Sequence, residues 1–181
     1  MILDTCSTEH AQLKPFLDAV VSVVSEQLTR VDQFNLISCS DGMECWREGL
    51  TRSSDESVAE AVQWVEQVKP QTTPFKTNIV EGLLKALAHS DAEAIFLLVH
   101  GDCTLRAFNM ILEEVKGPLQ YLIITFGGLL LLQVSPSLIP VHIVVYNCKA
   151  PQTLQKYQQL ASASSARQVW RIIPSTGCAF R

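Results

Sequence analysis

Apolar residues recur at helical or strand spacing along the whole chain. Between residues 13 and 28 they stand three or four positions apart, which predicts an amphipathic helix with Pro15 acceptable only in its first turn. Residues 94–99 are apolar without alternation, and residues 141–146 are apolar except for His142. Runs of this length are typical of strands buried on both faces, as in a parallel sheet covered by helices.

Shorter patterns supply the other elements. Residues 34–37 predict a strand, 40–42 a turn and 44–46 an edge strand. Ser53 and Glu56 have the spacing of a capping box that opens a helix. The remaining predicted elements are helices from about residue 77, over 105–115 and over 154–161, and a last strand over 169–173.

The alternation of strands and helices predicts an α/β fold. We expect a Rossmann-like open, mostly parallel sheet with helices on both faces. No linker rich in Gly, Ser or Pro divides the chain, so residues 1–181 are predicted to form a single domain. Its first strand is expected to be cut short by Met1.

Composition narrows the function classes. The chain is 48% hydrophobic and 18% charged, which is typical of a packed protein rather than a disordered one. The net charge of −4 offers no basic excess for phosphates, so nucleic acid is not expected as a partner. Six cysteines include no C-x-x-C pair, and the start lacks a secretory signal pattern. We therefore expect reduced thiols and an intracellular, cytoplasmic protein.

One long segment carries no charge. No Asp, Glu, Lys or Arg occurs over residues 117–148, and residues 121–132 are almost entirely apolar. A membrane-spanning helix needs about 20 apolar residues. Because this run is shorter and contains Gly127-Gly128, a buried strand or an apolar insertion is favoured over membrane association.

Polar residues follow two of the predicted strands and open one of the predicted helices. Asp4, Cys6 and Thr8 follow the first strand, Thr77 opens the third helix, and residues 100–102 follow the strand 94–99. In open α/β sheets, ligands bind outside the carboxyl ends of the strands. These residues are therefore the candidate site.

The ordered set of these motifs resembles a von Willebrand factor type A domain. It includes Ile-Leu-Asp-Thr-x-Ser over residues 2–7, Thr77-Asn78 before an apolar helix, and Leu-Leu-x-x-Gly over residues 97–101. The similarity covers nearly the whole chain and is strongest to the intracellular group of such domain-containing proteins called type 3. It implies a metal-ion-dependent adhesion site that holds a divalent ion, usually Mg²⁺, and binds a partner protein.

The ligand pattern implied by the resemblance is degenerate. Asp4, Thr8 and Thr77 match family ligands. Cys6 stands in place of a serine and His100 in place of an aspartate, and Asp102 substitutes only if its loop bends differently. A thiol is a poor ligand for Mg²⁺. Cys6 and His100 together favour a softer ion such as Zn²⁺, but no third soft ligand is evident.

Each candidate ligand also has a structural interpretation. Asp4 can cap a turn and Thr77 can cap a helix. Cys6 is then a small buried side chain, and His100 a hydrogen-bonded structural imidazole.

The resemblance also marks two segments as inserted, at 117–140 and 163–174. An alternatively spliced product of a larger multidomain protein would carry such segments.

The leading functional hypothesis is a non-enzymatic protein-interaction module with a degenerate metal site. One alternative is an α/β enzyme in which Cys103 is the nucleophile beside His100 and Asp102. No nucleotide-binding or hydrolase motif supports that alternative. The other alternative is membrane association through residues 121–132.

Overall fold

The computed structural model describes residues 1–5, 10–69, 78–100, 139–147, 151–163 and 169–172. Its strands are β1 (Ile2–Asp4), β2 (Gln33–Phe34), β3 (Ile37–Cys39), β4 (Met43–Cys45), β5 (Thr51–Arg52), β6 (Ile95–His100), β7 (Val141–Tyr146) and β8 (Val169–Ile172). Its helices are α1 (His10–Gln27), α2 (Asp55–Glu66), α3 (Ile79–Leu87) and α4 (Pro151–Ala163), and a 3₁₀ turn (Leu28–Arg30) follows α1. The predicted helix 105–115 and the apolar run 121–132 lie outside the described residues.

Six strands form one sheet in the order β4-β3-β1-β6-β7-β8. All neighbours are parallel except β3 and β4, which form an antiparallel hairpin at one edge. The helices α1 and α2 pack on one face, and α3 and α4 pack on the other. The predicted α/β fold, with its mostly parallel sheet and helices on both faces, is confirmed.

The predicted strand 34–37 is split into β2 and β3. The buried side chain of Asn35 causes the break, because its Oδ1 accepts from the backbone N–H of Leu36 (2.8 Å) and of Arg47 (3.2 Å). Its Nδ2 donates to the carbonyl of Arg47 at 2.8 Å. The side chain thus takes hydrogen bonds that a continuous ladder would make, and β2 pairs instead with β5 in a small second sheet.

Two local expectations about the helices were wrong. The helix α1 begins at His10, so Pro15 lies beyond its first turn, where it removes one helical hydrogen bond. The capping box of α2 is one residue later than predicted, with Ser54 as N-cap and Ser57 as its partner. Ser53 instead donates its hydroxyl to the carbonyl of Leu28 at 2.6 Å.

The shifted capping box makes a testable prediction. We expect Ser54→Ala to lower the free energy of unfolding by about 1 kcal/mol, because the N–H of Ser57 loses its acceptor. Glu56→Ala is the matched control and should change stability by less than about 0.5 kcal/mol. Urea denaturation monitored by circular dichroism measures both. A larger loss of unfolding free energy from Glu56→Ala than from Ser54→Ala would instead support the capping box of Ser53 and Glu56 predicted from sequence.

The segment predicted as an insertion at 163–174 contributes a strand to the main sheet. Within it, Val169–Ile172 form β8, which pairs in parallel with β7 from Ile143↔Val169 to Tyr146↔Ile172. The last strand expected over 169–173 is therefore present as β8 and forms an edge of the main sheet. The insertion predicted at 117–140 lies almost wholly outside the described residues.

Candidate functional site

The carboxyl ends of β1, β3, β6 and β7 meet at one edge of the sheet, which we call the carboxyl edge. Because these strands are parallel, the residues that end or follow them are neighbours there. Of the six predicted site residues, Asp4 and His100 are described by the structure. The other four, Cys6, Thr8, Thr77 and Asp102, lie outside the described residues.

Asp4 ends β1 and is only 4% exposed. It stands beside Cys39 of β3 and Val99 of β6, between two neighbouring strands. Ile2, two residues earlier, belongs to the core packed against α3 and α4, and alternation along the strand places Asp4 on the same face. Burial raises the pKa of the Cys39 thiol, and the nearby Asp4 carboxylate raises it further. Cys39 is consequently a protonated, poorly nucleophilic thiol at neutral pH.

His100 ends β6 and lies on the opposite face of the sheet. Its ring centroid is 5.6 Å from that of Phe16 in an edge-to-face contact and 5.7 Å from that of Tyr146. Phe16 and Tyr146 belong to the core packed against α1 and α2, and His100 itself is 6% exposed. The imidazole is thus part of an aromatic cluster. Alternation along the two strands directs Asp4 and His100 to opposite faces, so the structure does not bring them together.

Sequence reasoning missed the contact that joins two loops at the carboxyl edge. Asn78 occupies the N-cap position of α3, which was predicted for Thr77, but its side chain makes no cap hydrogen bond. Instead Nδ2 of Asn78 donates to the carbonyl of Ser40 at 2.6 Å. Nearby, the hydroxyl of Thr5 donates to the carbonyl of Cys39 at 3.2 Å. In the sequence, Asn78 could be noticed only as a polar residue before an apolar helix. Its partner Ser40 is 38 residues away in the chain, so the contact itself could not be predicted.

The helix α3 approaches β3 very closely at Gly82. A Cβ atom added to Gly82 would lie 2.6 Å from Sγ of Cys39 and 3.4 Å from Cγ2 of Ile37. The absence of a side chain therefore allows α3 to pack against the sheet at this depth. The same approach holds Asn78, one turn earlier, beside Ser40.

Asn147 follows β7 at the same edge with a φ of 55°. Asparagine is one of the few residues that adopt this left-handed conformation readily. Asn147 is therefore a residue suited to the backbone conformation that it adopts directly after β7.

The described part of the predicted donor set, Asp4 and His100, fits Mg²⁺ poorly. Among the residues that the structure describes, no group of three His, Cys, Asp or Glu side chains could hold a metal ion. Mg²⁺ requires oxygen ligands in near-octahedral geometry, whereas His100 offers nitrogen and packs among aromatic rings on the other face from Asp4. Four of the six positions, Asp4, Thr8, Thr77 and Asp102, would supply oxygen.

The two alternative functions depend on residues outside the described ranges. Cys103, the nucleophile of the enzyme hypothesis, and residues 121–132, the membrane segment, are both outside them. Within those ranges, no helix combines the length and the apolar content needed to cross a membrane.

Comparison with known proteins identifies two curated relatives from Homo sapiens. The chain is 31% identical over 117 residues to von Willebrand factor A domain-containing protein 3A, a match that covers 64% of this chain and 10% of that protein. It is 26% identical over 114 residues to von Willebrand factor A domain-containing protein 3B, covering 63% and 9%. The matched region is thus about a tenth of each relative's length. No protein-family model matches the chain.

Solved structures agree on the fold. A von Willebrand factor type A protein from Catenulispora acidiphila aligns with a TM-score of 0.56 and 15% identity, covering 94% of this chain and 37% of that one. Proximal thread matrix protein 1 from the mussel byssus, in a structure with a zinc-occupied MIDAS motif, aligns with a TM-score of 0.56 and 16% identity, covering 96% and 40%. Together with the curated relatives, these matches confirm the predicted resemblance.

Proposed function

We propose that this chain, whose fold is that of a von Willebrand factor type A domain, is a non-enzymatic protein-interaction module with a degenerate metal-ion-dependent adhesion site. The proposed site comprises Asp4, Cys6, Thr8, Thr77, His100 and Asp102. The similarity of the chain to von Willebrand factor A domain-containing proteins 3A and 3B supports the interaction role. The partner is a protein.

The position of His100 is the observation that supports a degenerate metal site. In the pattern implied by the family, a carboxylate at this position would help to hold the ion. Here the position has an imidazole packed against Phe16 and Tyr146. A ring held in such a cluster contributes to folding, and moving it toward Asp4 would break two aromatic contacts. We therefore propose that the interaction does not require a tightly bound Mg²⁺.

Titration with metal tests this proposal. In isothermal titration of the purified chain with Mg²⁺, and again with Mn²⁺, we expect no binding at millimolar concentrations that depends on Asp4. Wild type and Asp4→Asn should give the same heats, because His100 stands where the family pattern has a carboxylate and packs on the other face of the sheet from Asp4. Circular dichroism of both proteins controls for folding. Binding to wild type that disappears in Asp4→Asn would show that the site holds a metal despite Cys6 and His100.

The interaction itself is tested without metal. The immobilised chain should capture a reproducible set of proteins from a cell lysate equally well in EDTA and in Mg²⁺. Capture of partner proteins only in the presence of Mg²⁺ would instead support a functional metal-dependent adhesion site. Capture no greater than that of an unrelated α/β domain would contradict the interaction role.

The relatives are far longer than the matched region, which supports a second part of the proposal. We propose that this chain is a part or an alternatively spliced isoform of a larger intracellular protein, located in the cytoplasm. RNA sequencing across the junctions near residues 117–140 tests the isoform. A transcript that always encodes this segment would contradict it.

A further inference from the structure

A groove lies at the opposite end of the sheet from the carboxyl edge, where the strands begin. It has a volume of about 490 Å³ and is lined by residues from the start of β1, the turn between α1 and β2, and the loop before β6. Cavities of roughly 300–1,000 Å³ are the size of ordinary ligand sites. We call this cavity the amino-edge groove.

Both walls of the amino-edge groove are acidic. Asp32 lies on the wall after α1, and Asp91 and Glu93 lie on the wall before β6; all three are exposed. Arg30 also lines the groove, but it forms an ion pair with Glu26, with 3.4 Å between Nη2 and Oε1. In the ranges that the structure covers, no ion pair involves Asp32, Asp91 or Glu93. Among the described side chains that line the groove, three carboxylates therefore outnumber one guanidinium, which leaves an excess of negative charge.

The walls are held by backbone hydrogen bonds. The carbonyl of Asp32 accepts from the N–H of Ser53 at 2.9 Å, which ties the first wall to the end of β5. The N–H of Ala92 donates to the carbonyl of His89 at 3.1 Å within the second wall. The two sets of carboxylates are thus carried by structured turns on either side of the cavity.

The amino-edge groove also has apolar surface. Val31 is 41% exposed, and Leu50 and Phe96 are half-buried. A second depression of about 300 Å³ shares Gln33, Leu50 and Asp91 with the groove and extends it. Together the two depressions are far larger than a single ion needs, and their volume is in the range of ordinary ligand sites.

We propose that the amino-edge groove binds a short peptide segment of a partner protein that carries lysine or arginine beside an apolar residue. A cationic side chain between Asp32 and the carboxylates of Asp91 and Glu93 would relieve repulsion across the cavity. An apolar neighbour would cover Val31, Leu50 and Phe96. The acidic walls repel phosphate-rich surfaces, so nucleic acids and anionic membranes do not fit this groove.

The probe is a capped pentapeptide in which lysine and leucine alternate, and the control peptide has glutamate in place of lysine. Each is titrated into the ¹⁵N-labelled chain at low ionic strength and followed by NMR. We expect saturable shifts of backbone amides in residues 30–33 and 91–94 with the lysine peptide, and none there with the glutamate peptide.

A matched pair of variants locates the binding. The triple variant Asp32→Asn/Asp91→Asn/Glu93→Gln should weaken binding by about tenfold, because three attractive charges are lost. The triple variant Glu44→Gln/Glu48→Gln/Glu56→Gln removes the same charge from exposed positions outside the groove and should change affinity less than about twofold. Equal weakening by both variants would reduce the effect to general charge attraction and overturn the proposal. Shifts located elsewhere, or none at millimolar peptide, would overturn it too.

Discussion

Replacing Phe16 by alanine is expected to lower the free energy of unfolding by about 3–5 kcal/mol, the usual cost of removing a buried aromatic side chain. Phe16 is 1% exposed and lies at the centre of the cluster that covers the α1 face of the sheet. Its ring contacts both His100 and Tyr146, each with a centroid separation below 6 Å. The substitution would therefore leave a cavity beside two strand ends as well as removing apolar contact.

Urea denaturation followed by circular dichroism measures this loss. Phe96→Ala is the matched control, since Phe96 is half-buried and stacks on His142 with centroids 5.0 Å apart. We expect it to cost less than half as much, because less apolar surface is removed from water on folding there. Since a loss of this size can unfold a small domain, Phe16→Leu provides a milder variant that should cost about 1 kcal/mol. Equal effects of Phe16→Ala and Phe96→Ala would contradict the deeper burial assigned to Phe16.

Replacing Gly82 by alanine is expected to destabilise the chain by about 2 kcal/mol, the usual range for overpacking a core. The sign is informative, because alanine in place of glycine within a helix normally stabilises by about 1 kcal/mol. Here the new methyl group would lie 2.6 Å from Sγ of Cys39, inside van der Waals contact. The Cys39 side chain, α3 or β3 must then move.

A double-mutant cycle with Cys39→Ala isolates that contact. Cys39→Ala removes the sulfur that the new methyl group meets first, so Gly82→Ala should cost at least about 1 kcal/mol less in that background. Gly49→Ala is the control, because a Cβ there meets nothing within 4 Å, and it should change stability by less than about 0.5 kcal/mol. Additive effects of Gly82→Ala and Cys39→Ala would mean that the sulfur does not limit the approach of α3.

Gly82 also influences the proposed site. Its close approach to β3 sets the depth at which α3 packs, and Asn78 at the start of that helix bonds to Ser40. A shift of α3 would therefore separate two loops at the carboxyl edge. The sequence showed Gly82 only as a glycine inside a helical pattern, with no indication of what it faces.

The positions of two candidate site residues at strand ends were predicted from sequence. Alternation and the order of elements place Asp4 and His100 at strand ends of the same edge, and both are there. Whether the two side chains can serve one site depends on where they point, and their positions in the chain do not show that. The face to which each side chain points depends on the register of β1 and β6, and that register sets them apart.

The exact ends of helices and strands were also harder to predict where two neighbouring residues could play the same role. Ser53 and Ser54 are both suitable N-caps, and the sequence alone favoured Ser53 because Glu56 follows at the right spacing. In the folded chain the carbonyl of Leu28 accepts from Ser53, and Ser54 caps the helix. Asn35 behaves similarly, since its bonds to Arg47 end a strand that the apolar pattern would continue.

The number, type and order of the main elements follow from the chain itself. Apolar runs such as those of β6 and β7 must be buried whichever neighbours cover them, so their periodicity is readable without knowing the partners. The contacts of Asn78 with Ser40, Gly82 with Cys39, and His100 with Phe16 join residues far apart in the chain. Such contacts form only once the packing of the whole core has fixed the strand register and the distance between each helix and the sheet. For that reason the fold class was predictable, whereas the arrangement of the carboxyl edge and the existence of the amino-edge groove required the folded chain.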